Sequence, residues 1–461
     1  MKKTNKKGFT IVELVIVIAV VAILAAVLIP TFVSVTRKAN ESNDVQAARN
    51  MNTFLAAAKV TDEVDSILDV YDIFEDSGYS VENYKPLYSG RHYYYDKQYN
   101  QIVYVNEADN TIIYPAEHKG ETRGDHDWFS LSMSVAKTKE PAAGNYTNEG
   151  GKITAKVANT EEYAYVIEQY NNKGGNLDLT ITGNVDLMGA RCLINKVENG
   201  KEVIIKGENS PVTIKNVTSN EELEPSTNSH NNQNVKADYY IGGLIAKVFD
   251  GANVTIENVI FENVNTKRLT AGGAGVVIGV VQNANVTFKN VTVKNSSVIG
   301  HRDVGALVGA VQNCNGTNNK GLKISGIVNI ENVNVKTTGG RSALVVGKLN
   351  GESRIEFETG ADLTINNSKV SVYENDFCEQ KFADGEVIPG EWVDYDSSKV
   401  VKIEGQDQFI YSYKGLDATT NAKVYSVYGY KADALVLING SSATWKAITS
   451  LDALKNGVSA A

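Results

Sequence analysis

The chain has 461 residues, which is more than the roughly 250–300 residues that one hydrophobic core usually serves, so more than one domain is expected. Its formal net charge of −9 argues against a nucleic-acid-binding protein, which would carry a basic stripe. The 39 glycines and 7 prolines fit neither collagen nor a proline-rich disordered chain. Cys192, Cys314 and Cys378 lie too far apart to indicate a zinc motif or a dense disulfide framework.

The N-terminus has the charge pattern of a membrane anchor. Residues Met1–Gly8 contain four lysines and no acid, and Leu14–Ile29 is uninterruptedly apolar. As a helix, Phe9–Ile29 would rise about 30 Å, enough to cross the hydrocarbon core of a bilayer, and the lysines would hold the preceding end in the cytoplasm. A conventional secretory signal peptide is the alternative, but this run is longer than a usual signal core and the helical pattern continues to about Lys59.

Glu13 stands out because a carboxylate in an apolar helix is costly in lipid and marks a functional site. The run Lys6-Lys7-Gly8-Phe9-Thr10-x-x-Glu13, followed by the apolar stretch, resembles the class III leader of type IV prepilins and type II secretion pseudopilins. The resemblance implies that a prepilin peptidase cleaves between Gly8 and Phe9, that Phe9 is then N-methylated, and that Glu13 meets the amino terminus of a neighbouring subunit in a filament. It also implies that Pro30 is the kinking proline of many such helices.

The chemistry of these residues is consistent with that resemblance. Gly8 allows close approach of a protease to the backbone, and a buried carboxylate needs a cationic partner such as a freed α-amine. Removing residues 1–8 takes away four lysines and no acid, which lowers the formal net charge from −9 to −13. A strongly acidic surface suits a soluble filament exterior.

From Thr31 the helix is predicted to become amphipathic and to pack under a globular head, with residues 9–60 forming one long helix. Its apolar positions recur at helical spacing. They are Phe32, Val35, Ala39, Val45, Ala48, Met51, Phe54, Leu55 and Ala58.

A small α+β head is predicted for residues 61–121. A helix is expected from Asp62 to Ser77, with Thr61 as its N-cap and Gly78 as its C′ residue. Three tyrosine-rich strands follow, which either form a platform for stacking sugars or, more commonly, cover a small sheet. They are expected at residues 92–95, 101–105 and 111–115. The polar, aperiodic residues 122–150 predict a linker.

Residues 151–373 show self-similarity with an offset of about 32 residues, which is typical of a repeat architecture. Each copy joins a glycine-punctuated apolar strand to an alternating strand that ends in Asn. In the two clearest copies, the apolar strand at 242–248 matches 275–281 and the alternating strand at 253–259 matches 285–291. A weaker third copy consists of 305–311 followed by 328–333, and a weaker fourth copy consists of 343–347 followed by 363–367.

Stacked repeats of this kind would place Val, Ile and Phe on an inner face and Thr, Lys and Glu on an outer face. Equivalent Asn side chains would hydrogen-bond in ladders, and glycine is expected at the corners because sharp turns demand positive φ. A short helix at Thr160–Glu168 would cover the open end of the stack. Residues 374–461 would form a β-rich module or cap.

The predicted fold is therefore mainly β with a long N-terminal helix. The repeats resemble right-handed parallel β-helix (solenoid) modules with glycine-rich repeats, which occur in bacterial surface proteins and adhesins. An antiparallel sandwich is the alternative fold for this region.

Candidate chemistry is sparse. His301, Arg302 and Asp303 form the best local cluster, either a glycan-binding or acid–base site or, more commonly, a solvated corner loop. The pair Lys267-Arg268 lies one repeat earlier and would extend this cluster into a basic patch for an acidic sugar. Residues Asp125–Asp127 are a weak candidate for a cation site. No cofactor or metal motif is found, and none is expected.

The sequence predicts a type IV pilin-like subunit, minor or at the tip, which displays a β-solenoid ectodomain for adhesion and is not an enzyme. Its partners would be the prepilin peptidase/methyltransferase, other pilin subunits, the pilus assembly machinery, and a glycan or host-surface protein. It would lie in the bacterial cytoplasmic membrane, with its C-terminal domain outside, before entering the pilus at the cell surface. A secretion pseudopilin and an envelope-tethered carbohydrate-active enzyme are the alternatives. Paired acids from neighbouring repeats would favour the enzyme.

Overall fold

The computed structural model divides the chain into two compact units. The first comprises Met1–Glu63 and Ile73–His126, and the second comprises Val64–Asp72 and Asp127–Ala461. The described residues are 11–60, 64, 66–79, 84–132, 136–220, 240–268, 272–300, 303–314, 321–337, 342–349, 353–374, 391–395, 411–416, 423–427, 436–438, 441–443 and 447–448.

The first unit begins with the predicted long helix. Helix α1, Ile11–Ala58, has 48 residues and is unbroken across Pro30. By length and composition it is the one helix among the described residues that is suited to cross a membrane. Apolar side chains before Ala39, such as Phe32 and Val35, are exposed, whereas Ala48, Met51 and Leu55 are buried.

Asp44 on α1 is the polar centre of the first unit, and the sequence pattern did not single it out. Its carboxylate is buried and accepts hydrogen bonds from the backbone N–H groups of Leu87 and Tyr88, at 2.8 and 2.9 Å, and from the Tyr104 hydroxyl at 3.0 Å. The Tyr93 hydroxyl donates to the Asp44 carbonyl at 2.9 Å. Burial and then the Asp44 charge raise the pKa of Tyr93 and of Tyr104.

A three-stranded antiparallel meander packs against α1. Asn52 binds both backbone groups of Ile102: its Nδ2 donates to the Ile102 carbonyl at 2.9 Å, and its Oδ1 accepts from the Ile102 N–H at 2.6 Å. Tyr93, Tyr95 and Tyr104 are buried, which confirms that the tyrosines cover the sheet. The strands are β1 (Arg91–Asp96), β2 (Gln101–Asn106) and β3 (Thr111–Tyr114).

Helix α2 spans Ile67–Asp76 and begins five residues later than predicted. Thr61, the predicted N-cap, lies outside the described residues. Ser66 takes the capping position instead, because its N–H and Oγ donate to the Asp69 carboxylate at 2.7 and 2.9 Å. Gly78 ends the helix with a φ of 81°, as predicted.

The entry to the second unit includes strands where a linker was expected, so that part of the prediction is wrong. Trp128 and Phe129 are buried, and the Ser130 N–H donates to the Met188 carbonyl at 2.8 Å. These large aromatic side chains favour a buried strand over a solvated linker. The strands of this region are β4 (Trp128–Ser130), β5 (Tyr146–Glu149), β6 (Lys152–Val157), β7 (Asn176–Ile181), β8 (Val185–Asp186), β9 (Ile194–Val197), β10 (Glu202–Gly207) and β11 (Val212–Asn220).

Helix α3, Thr160–Lys173, confirms the predicted helix before the repeats and extends it by five residues. Its N-cap is Asn159, whose side chain accepts a hydrogen bond from the Glu162 N–H at 3.0 Å. Tyr163 and Ile167 lie in the same apolar core as the repeat strands. One helical face therefore completes this end of the core.

The repeats form three largely parallel sheets, one of 17 strands, one of five and one of four. Their strands are β12 (Tyr240–Ile241), β13 (Ile245–Phe249), β14 (Asn253–Arg268), β15 (Gly273–Gly275), β16 (Ile278–Gln282), β17 (Asn285–Lys294), β18 (Ser297–Gly300), β19 (Val304–Gly305), β20 (Val308–Gln312), β21 (Gly321–Glu331), β22 (Asn334–Thr337), β23 (Ser342–Ala343), β24 (Val346–Leu349), β25 (Arg354–Phe357), β26 (Asp362–Asn366) and β27 (Lys369–Glu374).

The pairing registers confirm the repeat and exclude the antiparallel sandwich for this region. β14 pairs with β17 in parallel from Asn253 opposite Asn285 onward, and β13 pairs with β16 in parallel. The alternating segment predicted for the third copy, 328–333, lies one segment too late, since Asn285 pairs with Gly321 and Val291 pairs with Val328. A one-residue register shift between Lys289 and Val291 interrupts this pairing.

Asparagine, rather than glycine alone, makes the corners of the repeats. Five equivalent residues have φ between 46° and 56°, which corrects the expectation of glycine. A short amide side chain tolerates this left-handed backbone and also bonds its neighbour, which glycine cannot do. The residues are Asn216, Asn263, Asn295, Asn332 and Asn367.

The predicted amide ladders are confirmed along the stack. Asn285 donates to Asn253 at 3.0 Å, and Asn290 donates to Asn258 at 3.1 Å. At the corner described above, the Asn332 amide donates to its neighbour one repeat earlier at 3.2 Å. Identical side chains stacked in register thus satisfy one another.

Glycine is required where two sheets come close together. A Cβ on Gly309 would lie 2.6 Å from the Gly279 carbonyl oxygen and 2.7 Å from the Asp303 carbonyl oxygen. A Cβ on Gly347 would lie 2.3 Å from the Val304 nitrogen. This row of glycines allows β19 to approach β20 and β24 through the backbone.

Further strands lie beyond residue 374, which agrees with the predicted β-rich end. Those described are β28 (Glu391–Tyr395), β29 (Tyr411–Leu416), β30 (Lys423–Val427), β31 (Val436–Ile438), β32 (Ser441–Ala443) and β33 (Ala447–Ile448).

Replacing Phe288 with Asp is expected to unfold the second unit. Phe288 is fully buried between Ile256 and Ile324, so Asp would lose its packing and bury an unpaired charge, at a cost of about 3–5 kcal/mol or more. The neighbouring Thr287→Asp is the matched control, because Thr287 is only partly buried. Thermal unfolding followed by circular dichroism measures both variants. Equal melting temperatures would contradict the buried position of Phe288.

Candidate functional site

The candidate residues at the N-terminus are those proposed for processing and assembly. Gly8 and Phe9 are outside the described residues, and their role stays a prediction. Glu13 lies in the first turn of α1 and its side chain is exposed to the surroundings of the isolated chain. An acid in this position is favoured by the positive end of the helix dipole. Pro30 lies inside the same helix.

Asp303 is the described member of the predicted cluster, since His301 and Arg302 lie outside the described residues. It is 5% exposed, so the expectation of a solvated corner is wrong for this residue. Its carboxylate lies 3.9 Å from the Lys348 ammonium, which donates to Gln312 at 2.7 Å. The Gln312 amide donates in turn to Gln282 at 2.9 Å and to the Tyr240 hydroxyl at 3.0 Å. Asp303 is thus part of a buried polar network.

Lys267 does not extend a free basic patch, which corrects the prediction for the pair at 267–268. Its side chain is 4% exposed and its ammonium lies 2.6 Å from the Asp72 carboxylate. The neighbouring Arg268 is buried as well. A buried lysine paired with a carboxylate is not available to an acidic sugar.

Of the candidate cation ligands at residues 125–127, His126 and Asp127 contact other side chains. The His126 Nδ1 lies 2.9 Å from the buried Asp96 carboxylate. Asp127 accepts from the Lys215 ammonium at 2.7 Å and from the Asn263 amide at 2.8 Å. Within the ranges that the structure describes, no group of three or more His, Cys, Asp or Glu side chains is arranged to hold a metal ion.

Acids on the outer face of the large sheet pair with lysines rather than with one another. One row alternates in sign over five neighbouring strands, in the order Asp186, Lys215, Glu262, Lys294 and Glu331. The Lys294 ammonium lies 3.0 Å from Glu262, and that of Lys215 lies 3.6 Å from Asp186. This arrangement differs from the paired acids that a glycoside-cleaving site would need.

The first unit contains an aromatic cluster that the sequence did not predict. The Tyr99 ring stacks on His118 at 3.6 Å between centroids, and its hydroxyl donates to Glu121 at 2.5 Å. That hydrogen bond raises the pKa of Tyr99 to about 12. Spacing did not reveal the cluster, because its residues are brought together only by the meander.

Two of the three cysteines lie in the described part of the chain, and both are free and buried. Burial raises the pKa of the Cys192 thiol to about 12, which makes it a poor nucleophile. Cys314 is fully buried. Cys378 lies outside the described residues.

Comparison with known proteins finds one family motif and two curated relatives. The prokaryotic N-terminal methylation motif matches residues 3–29. The chain is 58% identical over 38 residues to the type IV wide pilus major component PilA4 of Thermus thermophilus, a match that covers 8% of this chain and 29% of that one. It is 43% identical over 54 residues to the type IV narrow pilus major component PilA5 of the same organism, covering 12% of this chain and 47% of that one. The chain thus spans less than half the length of either relative.

Among solved structures, a candidate immunoglobulin A1 protease from Bacteroides ovatus is 12% identical, with a TM-score of 0.26, covering 68% of this chain and 84% of that one. A TM-score this low supports no argument about fold or activity. The methylation motif at residues 3–29 and the similarity to two type IV pilins support the same assignment. The chain therefore carries a prepilin-like class III leader followed by its apolar helix.

Proposed function

We propose that this chain is a type IV pilin-like filament subunit, minor or at the tip, whose second unit is displayed at the cell surface for adhesion or ligand binding. The observation that carries the proposal is the methylation motif at residues 3–29, continued by the apolar part of α1. Gly8 and Phe9 form the cleavage junction, Phe9 is N-methylated, and Glu13 and Pro30 serve assembly. A prepilin peptidase/methyltransferase, other pilin subunits and the pilus assembly machinery are the corresponding partners.

The proposed route begins in the cytoplasmic membrane, with α1 as a single span and the remainder of the chain outside. After cleavage the subunit moves into a surface filament. A β region as large as residues 127–461 would crowd a filament if every subunit carried it, and this favours a low-copy or tip position.

For the displayed region we propose a right-handed parallel β-solenoid. The in-register parallel pairing of β14, β17 and β21, and the corresponding pairing of β13, β16 and β20, support this architecture. The proposed domain ranges are a leader at 1–8, a helix at 9–60 and a head in the region 61–121, apart from residues 64–72, which cluster with the second unit. The repeat domain covers residues 151–373 and the terminal module 374–461.

Adhesion is preferred to catalysis because the described outer acids are engaged in ion pairs. Glu257 lies 2.7 Å from Lys289, and Glu262 lies 3.0 Å from Lys294. Each of these acids faces a lysine on the neighbouring strand instead of the second acid that a glycoside-cleaving pair requires. An envelope-tethered carbohydrate-active enzyme is the alternative from another class, and a secretion pseudopilin is the alternative within the filament class.

The first test concerns processing. Mass spectrometry of the native protein is expected to find N-methylated Phe9 as the first residue. Gly8→Trp should remain uncleaved, because its side chain blocks approach to the backbone, whereas Asn5→Ala in the same leader should be processed normally. A mature chain that starts beyond Ile29 would instead identify a conventional secreted protein.

The second test concerns assembly. Glu13→Ala should be cleaved normally but should enter filaments poorly, because the amine of the adjacent subunit loses its counter-charge. Removal of one partner of a buried pair costs about 3–5 kcal/mol. Immunogold counting along filaments measures incorporation, with Glu41→Ala as a control on the same helix. Unchanged incorporation of Glu13→Ala would refute the assembly role of Glu13.

The third test separates binding from catalysis. The full chain in detergent, applied to a glycan array, is expected to retain a glycan without releasing products. Asp303→Asn should keep the fold, since Asn tolerates the φ of 54° at this position, and should at most weaken binding severalfold. Release of shortened or unsaturated oligosaccharides, abolished in Asp303→Asn, would favour the enzyme.

A further inference from the structure

Residues 64–72 belong to the second unit, although 54 residues of the first unit separate them from its next segment at residue 127. We call residues 64–72 the acidic strap. The strap contains the first six residues of α2, and Ile67, Leu68 and Val70 are fully buried. The Tyr71 hydroxyl donates to the Ser130 carbonyl at 3.0 Å. The strap is therefore packed, and the sequence order gave no reason to place it with the repeats.

The strap lies against a row of three residues on neighbouring strands of the large sheet. Lys267 on β14, Ile299 on β18 and Lys336 on β22 are register partners, so their side chains share one face of the sheet. Ile299 is 5% exposed but is not part of the main apolar core. The row is therefore on the outer face of the sheet and is covered.

Two ion pairs connect the strap to this row. The Lys267 ammonium lies 2.6 Å from Asp72, and the Lys336 ammonium lies 3.6 Å from Asp69. Asp69 and Asp72 are three residues apart on the helix and so project from one side of it. The two lysines are two strands apart, about 10 Å. Two acids on one side of α2 therefore pair with two lysines of the sheet, and Ile299 lies between those lysines.

These contacts differ from those that hold the repeats together. Neighbouring repeats are joined by continuous backbone ladders and buried apolar stacks, whereas the described polar contacts from the strap to the row are side-chain ion pairs. The Asp72 side chain is 48% exposed, so water can reach one partner of the shorter pair. The strap can therefore open without unfolding the ladders beneath it.

We propose that residues 64–72 form a releasable cover, held over the row Lys267–Ile299–Lys336 by Asp69 and Asp72. The strap follows the N-terminal segment of the first unit directly in sequence, so tension on α1 reaches the second unit first at residue 64. Opening of the strap exposes a row with two positive charges around an apolar centre. The proposal concerns the second unit and holds whether or not the chain enters a filament.

Cysteine labelling tests this strap in the full chain. Ile299→Cys is the reporter under the strap and Val286→Cys, in the core of β17, is the reporter for global unfolding, both in a Cys378→Ser background. The rate of maleimide labelling is measured with the wild-type strap and with Asp69→Asn/Asp72→Asn. Asn keeps the capping acceptor for Ser66 but removes both charges. Asp76→Asn, an exposed acid of α2 outside the strap, is the matched control.

The expected result is labelling at position 299 that is at least about tenfold faster in the double variant, with slow labelling at position 286 in every sample. Asp76→Asn should leave both rates unchanged. Unchanged labelling at 299 in the double variant would show that the ion pairs do not hold the strap. Equal acceleration at 299 and 286 would show that the strap is an inseparable part of the core. Either outcome overturns the proposal.

Discussion

In-register parallel stacking is the constraint on which the second unit depends. Each residue of one repeat faces its equivalent in the next, about 4.8 Å away. Apolar residues can repeat without limit under this rule, as Val254, Val286 and Leu322 do in the core. Asn side chains can also repeat, because each amide carries both a hydrogen-bond donor and a hydrogen-bond acceptor. Charges of one sign repel at this spacing, and the outer row from Asp186 to Glu331 alternates in sign, which avoids that repulsion.

The same constraint explains where the backbone departs from ordinary strand geometry. A corner repeated in every turn of the stack must satisfy its polar groups at every level, and left-handed Asn does this while Gly does not. Where two sheets approach through their backbones, no side chain fits, and Gly279, Gly309 and Gly347 form the complementary row. Length changes between repeats are absorbed by local irregularities such as the register shift after Lys289. The repeat therefore tolerates variable offsets without losing its core.

The features that the sequence could predict are those carried by local periodicity. The leader, α1, α3, the alternating strands and the Asn ladders all follow from residues close together in the chain. The missed features depend on distant partners. Asp44 looks like an ordinary solvent-facing residue of an amphipathic helix until the head places two N–H groups and a tyrosine hydroxyl around it. Lys267 looks like a surface cation, but its partner Asp72 lies 195 residues earlier in the chain.

Ion pairing on the outer face also restricts where a ligand can be recognised. Acids and lysines neutralise one another along the outer row from Asp186 to Glu331, so the side chains of that row are already engaged. A ligand that binds there must displace intramolecular partners and pay for their desolvation. Loops do not carry this cost, because they lie outside the ladders. The alternating outer row therefore stabilises the register of the neighbouring strands.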